Sequence, residues 1–146
     1  MSLRDWLKNG WLSEHVASRE EIADLLGLSD RNLHDCGTPG LSADWKFNIA
    51  YNAALQAATA ALAASGYRAT RDAHHYRILQ SLTFTINAPQ ALVRQLDAFR
   101  KKRNIGGYQA AGRISDMEAQ EMASVATRVR QLVEDEIRAA HPELLP

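Results

Sequence analysis

Apolar residues recur at spacings of three and four along most of the chain, the period that brings side chains onto one face of an α-helix. Ser18 to Glu21 fits a capping box, in which the serine accepts from a backbone N–H of the first turn and the glutamate reaches back. Ile22, Leu25, Leu26, Leu28 and Leu33 follow it, and Gly37, Pro39 and Gly40 break the pattern into a loop. Ser42 is the natural N-cap of the next helix, with Asp44 in its first turn, where a negative charge suits the helix dipole. Phe47, Tyr51, Leu55, Ala58 and Leu62 carry that helix forward, and Gly66 ends it. Nine alanines lie between residues 50 and 64. Small residues on several faces let neighbours approach closely, so this segment is expected at the centre of a bundle.

A basic turn, Tyr67 to Asp72, leads to Ile78, Leu79, Leu82 and Ile86, which predict a further helix although Thr83, Phe84 and Thr85 favour strand locally. Pro89 suits the start of another helix, with Leu92, Leu96 and Phe99 as its stripe and Gly106 and Gly107 as its stop. A second capping box, Ser115 to Glu118, opens the last helix. Met122, Val125, Val129, Leu132 or Val133, and Ile137 give it a long apolar stripe, closed by His141 and Pro142. No alternating strand pattern stands out. The reading is an all-α, up-and-down bundle of about five helices. It forms a single domain over residues 1–146, with 1–16 as an N-terminal extension.

Composition changes this picture little: 146 residues, 46% hydrophobic and 23% charged, describe one ordinary globular domain. The single cysteine, Cys36, cannot form an intramolecular disulfide and reads as a small buried hydrophobe in a cytoplasmic protein. Arg4, Asp5 and Lys8 interrupt the first apolar residues, so no signal-peptide run is expected, and no apolar stretch reaches transmembrane length. Charge is more informative. The formal net charge is zero, yet residues 66–113 carry +7, against −3 over residues 1–36 and −4 over residues 114–146. A basic block of this kind either meets an anion such as RNA or is neutralised internally by the acidic ends.

The block culminates in Leu96-Asp-Ala-Phe-Arg-Lys-Lys-Arg-Asn-Ile-Gly-Gly-Tyr108. Extending the row Leu92, Leu96, Phe99 by four residues lands on Arg103, which puts a guanidinium at the end of a core-facing row. Such a position is costly unless the cation meets a carboxylate, a phosphate or a partner surface. Lys101 and Lys102 point away from that row, toward solvent.

Arg103 followed directly by Asn104 at the end of a bundle helix, with a ring residue a few positions on, resembles the HEPN domain family. The resemblance takes in Tyr51-Asn-Ala-Ala-Leu55, Ser65-Gly-Tyr67, His74-His75-Tyr76 and the last long helix, most of the chain beyond about residue 17. These motifs are short, and their order and spacing carry the match. The family implies an α-helical bundle, frequently a symmetric homodimer with the Arg-Asn motif of each protomer near a shared cleft. Many members are metal-independent ribonucleases, often toxins paired with a nucleotidyltransferase-type antitoxin, and others bind RNA or nucleotides without cleaving. The resemblance therefore implies Arg103, Asn104 and Tyr108 as the catalytic positions and Arg100, Lys101, Arg103, His74 and His75 as contacts to RNA phosphate, with no cofactor and no metal.

Tyr108 stands where active members carry histidine. A phenol, with a pKa of about 10, is deprotonated only to the order of one part in a thousand at pH 7, so as a general base it gives up several kcal/mol against imidazole. It can still donate a hydrogen bond to phosphate or stack on a base. His74 or His75 would supply the imidazole if their helix lines the same cleft, and adjacent residues diverge by about 100°, so at most one would face it. No Cys, His or carboxylate cluster has zinc spacing, and there is no phosphate-cradling glycine loop or nucleophile elbow. Two readings remain: a HEPN-like module that binds or cleaves RNA, and a non-catalytic helical dimerisation or interaction protein that partners a nucleotidyltransferase-type protein.

Overall fold

The computed structural model describes residues 1–103 in full, the backbone of residue 104, and residues 114–146. Three serines start the three longest helices. The hydroxyls of Ser18, Ser42 and Ser115 accept from the N–H of Glu21, Trp45 and Glu118, and open α2 (Arg19–Asp35), α3 (Ala43–Ala64) and α7 (Asp116–Ala140). Ser115 closes the full capping box. At Ser18 the carboxylate of Glu21 turns instead to His15 Nε2, at 2.7 Å, with Arg68 at 3.7 Å. Gly66 lies just past α3 at φ +97°, the left-handed conformation that glycine adopts without strain.

Helix α3 is the axis of the molecule. All nine of its alanines between residues 50 and 64 are buried, together with Phe47, Tyr51 and Leu62. A helix enclosed on this many faces is held by neighbours rather than by one amphipathic stripe. It packs most extensively against α7 and α2. The buried Ser29 of α2 donates to the Ala53 carbonyl at 2.8 Å, so a polar atom is satisfied inside that contact. From α7, Met122, Ala126, Val129, Val133 and Ile137 form the facing stripe. Arg130 ties α7 to α2 through two hydrogen bonds to Asp30, at 2.7 and 3.0 Å, and a third to Glu134. Burial works against its charge, but these bonds and the two carboxylates hold the guanidinium above its ordinary pKa.

The molecule is thus a mostly all-α bundle, with two departures from the expectation. The first is a small antiparallel sheet: β1 (Leu12–Glu14) pairs with β2 (Tyr67–Ala69), Leu12 opposite Ala69 and Glu14 opposite Tyr67. Strands of three residues are too short for a period of two to register in the sequence. This sheet joins the N-terminal segment to the chain leaving α3. Ahead of it, α1 (Leu3–Lys8) buries Trp6, whose ring meets Trp11 and Phe84 edge-on. Residues 1–16 are therefore packed into the domain rather than appended to it.

The second departure is that the single helix expected over Ile78 to Ile86 is two: α4 (His74–Gln80) and α5 (Leu82–Thr85). The break falls at the fully buried Ser81, whose hydroxyl donates to the Ile78 carbonyl at 2.6 Å and whose backbone ends one helix as it begins the next. The last bundle helix before residues 105–113, α6 (Gln90–Asn104), follows Pro89 as expected and buries Leu92, Val93, Leu96 and Phe99. None of the described helices is long and apolar enough to cross a membrane.

Because α3 has no room for larger side chains, Ala57→Leu is expected to cost about 1–3 kcal/mol. Urea denaturation should show the midpoint falling with an unchanged slope.

Candidate functional site

The core row of α6 meets α3 in two matched steps. Phe99 packs edge-on against Phe47, with centroids 5.6 Å apart. Four residues further along both helices, the guanidinium of Arg103 lies 4.9 Å from the ring centroid of Tyr51. The cation at the end of the apolar row is therefore received by an aromatic face, a contact that offsets part of its desolvation without engaging its N–H groups. Arg103 Nε is buried and has no hydrogen-bond partner among the described residues, and Arg103 forms no ion pair among them.

Tyr51 is only 2% exposed, and its hydroxyl is likewise without a hydrogen-bond partner among the described residues. Burial raises the pKa of that phenol; Arg103 and Arg100 pull it down and Asp97 adds to the rise, with the net shift upward. It stays protonated and can donate. On the same ring converges His75 of α4, centroids 6.1 Å apart. His75 is half-buried, and its pKa is lowered from 6.5 by burial first, then by Arg103, His74 and Arg100. Neutral imidazole is the form this surrounding favours.

His74 turns elsewhere. Its Nδ1 donates to the Thr70 carbonyl at 3.0 Å, in an exposed position that fixes the turn before α4. The preceding Ala73 holds φ +50°, a left-handed conformation that an alanine adopts at a cost of roughly 1–2 kcal/mol. One strained residue therefore sets where the two histidines begin.

Four other cations of the basic block, Arg68, Arg100, Lys101 and Lys102, are answered by carboxylates among the described residues. Arg100 Nε donates to Asp97 at 2.8 Å, its guanidinium lying 5.3 Å from the Tyr76 ring, and Lys101 sits 3.4 Å from the same carboxylate. Lys102, expected in solvent, is paired with Glu118 of α7. The reason is that the first turns of α7 lie beside α6, whose Gln95 also reaches Glu121. Earlier in the block, Arg77 is taken up by the N-terminal segment, 3.7 Å from the Trp11 ring centroid.

The structure brings Arg103, Arg100 and His75 of the sequence-derived set around Tyr51 and directs Lys101 and His74 to other partners. Tyr108 and the side chain of Asn104 lie outside the described residues. Sequence reasoning placed Tyr51 in the core stripe and in the motif Tyr51-Asn-Ala-Ala-Leu55, but gave it no role in the site; the signal for more was a hydroxyl on the most enclosed helix. Tyr76 and Asp97 were also passed over as site residues. No three His, Cys, Asp or Glu side chains gather as a metal site among the described residues. The buried thiol of Cys36 has its pKa raised by burial, which suits a packing role. No family model, curated protein or solved structure matches the chain, so its class rests on the mostly α-helical bundle and on this cluster.

Two outcomes follow. Tyr51→Phe removes a buried hydroxyl that has no hydrogen-bond partner among the described residues and should raise stability by about 1 kcal/mol in denaturant melts. His75 has a folded pKa below 6.5, so as pH falls past that value the unfolded chain binds the proton first and stability declines; above it the contribution is constant. Denaturation midpoints measured from about pH 7 to about pH 5 should fall less in His75→Gln than in the wild type.

Proposed function

We propose that this protein is a HEPN-like module that binds RNA, with Arg103 as its principal phosphate contact. The observation that carries the reading is a guanidinium at the end of a core row, inside a +7 segment, held against an aromatic face with no carboxylate partner among the described residues. A cation placed in this way keeps its N–H groups for an anion, and charge-assisted bonds to phosphate are the strong ones. Tyr76, only partly buried, puts a ring next to Arg100, the mixture of stacking surface and positive charge that single-stranded nucleic acid uses, while the enclosed ring of Tyr51 positions Arg103. The HEPN resemblance adds a homodimer in which two such motifs share a cleft, and a nucleotidyltransferase-type partner within a toxin-antitoxin pair.

A second reading, a non-catalytic interaction protein, draws on the pairing of Arg100 and Lys101 with Asp97 and of Lys102 with Glu118, which makes much of the block structural. One experiment separates the two. Fluorescence anisotropy with a labelled single-stranded RNA should show binding that weakens steeply with salt, and Arg103→Ala should weaken it roughly tenfold to a hundredfold. Absence of salt-sensitive binding, with sedimentation showing that Arg103→Ala instead dissociates a dimer, would establish the second reading.

A further inference from the structure

We propose that His75 is the proton acceptor for RNA cleavage at this site, supplying from α4 the imidazole that the Arg103 motif lacks at Tyr108; this rests on the RNA reading above. Three helices converge to make the arrangement: Tyr51 from α3, His75 from α4 and Arg103 from α6, with one ring touched by both of the others. His75 forms no hydrogen bond to another described residue, so its ring nitrogens are not committed in the way that His74 Nδ1 is committed to Thr70. The charged and titratable groups around it are Arg103, Arg100 and Asp97 of α6, His74 and Tyr76 of α4, and Tyr51 of α3. The cations outnumber the single carboxylate, which is itself engaged by Arg100 and Lys101. A second positive charge is disfavoured there, and the neutral base prevails near neutral pH.

The chemistry balances with groups already named and with water. A neutral nitrogen of His75 takes the proton of a ribose 2′-hydroxyl as that oxygen attacks the adjacent phosphorus. The bond from phosphorus to the 5′-oxygen breaks, and the departing oxygen takes a proton from solvent water. The products are a 2′,3′-cyclic phosphate and a 5′-hydroxyl end. Arg103 faces the phosphoryl oxygens on which negative charge builds, while the enclosed Tyr51 ring seats both the guanidinium and His75.

The test uses the full chain and a 5′-labelled single-stranded RNA, with binding and cleavage measured on the same preparations. Wild-type protein should produce 2′,3′-cyclic phosphate ends, and a substrate with 2′-deoxyribose throughout should remain intact. The rate should rise with pH along one limb whose midpoint lies below 6.5, then level off. At neutral pH, His75→Gln should cut the rate roughly 10²- to 10⁴-fold, a loss much larger than any accompanying change in RNA affinity. His141→Gln, at the far end of α7, should cleave at the full rate, and free imidazole should restore part of the activity of His75→Gly. RNA bound without cleavage would overturn the role of His75 and leave the binding reading standing. Neither binding nor cleavage would overturn both. Full-rate cleavage by His75→Gln, or a limb that climbs toward pH 10 as a phenol base would require, would also overturn it.

Discussion

The close approach made possible by nine alanines on α3 is the constraint on which the other spatial relations depend. With methyl groups where a bundle helix ordinarily carries leucines, α2 and α7 pack directly along its length, and α6 meets the part of it that carries Phe47 and Tyr51. The larger side chains are correspondingly few, and each has a defined partner. Phe47 is met by Phe99, and Tyr51 is met by Arg103 and His75. In an interior packed to crystal-like density, the position of one ring fixes the positions of those against it. The cluster around Tyr51 is therefore a product of core packing, not of surface loops.

Electrostatics then divides the basic block into two populations. Arg100, Lys101 and Lys102 find carboxylates on α6 itself or on α7; the Arg100–Asp97 pair is partly buried, whereas the exposed Lys101 contact contributes only modestly to stability. Arg77 and Arg103 are handled differently. Each lies against an aromatic ring, and each leaves a buried Nε without a hydrogen bond among the described residues. Arg77 sits among Trp6, Trp11 and Tyr76 and pins the N-terminal segment to α4. Among the described residues Arg103 has one ring beside it, that of Tyr51, and His75 packs against the same ring. The same physical device serves attachment in one place and leaves a cation uncommitted in the other.

Much of this was legible in the sequence. The three serine caps, the alanine-rich central helix, the glycine after it and the α7 stripe through Val133 all rest on local signals of capping, φ preference and period. The position of Arg103 at the end of a core row followed from counting by fours. What could not be read was anything set by contacts distant in sequence. Strands of three residues, the break at Ser81 and the pairing of Lys102 with Glu118 each depend on which segment lies alongside. That at most one histidine of the pair could face the Arg103 cleft was a statement about helix geometry; that His75 lies against Tyr51 depends on the left-handed start of α4 at Ala73.

That start is informative in its own right. An alanine at φ +50° persists only where surrounding contacts outweigh its strain, and here the contacts are those of α4 with α3 and α6. Moving the turn by one residue would relieve the strain, but it would rotate α4 by about 100° and carry His75 away from Tyr51. It would also carry Tyr76 away from Arg100, and Arg77 away from Trp11. The strain is thus locked in by two separate packing interfaces on one short helix, one toward the N-terminal tryptophans and one toward Tyr51. The Tyr51 hydroxyl and Arg103 Nε, without a hydrogen-bond partner among the described residues, lie at the second of these, as Arg77 Nε lies at the first. Strain of this kind persists because releasing it would break both interfaces at once, and the packing that holds it sets where His75 stands relative to Tyr51 and Arg103.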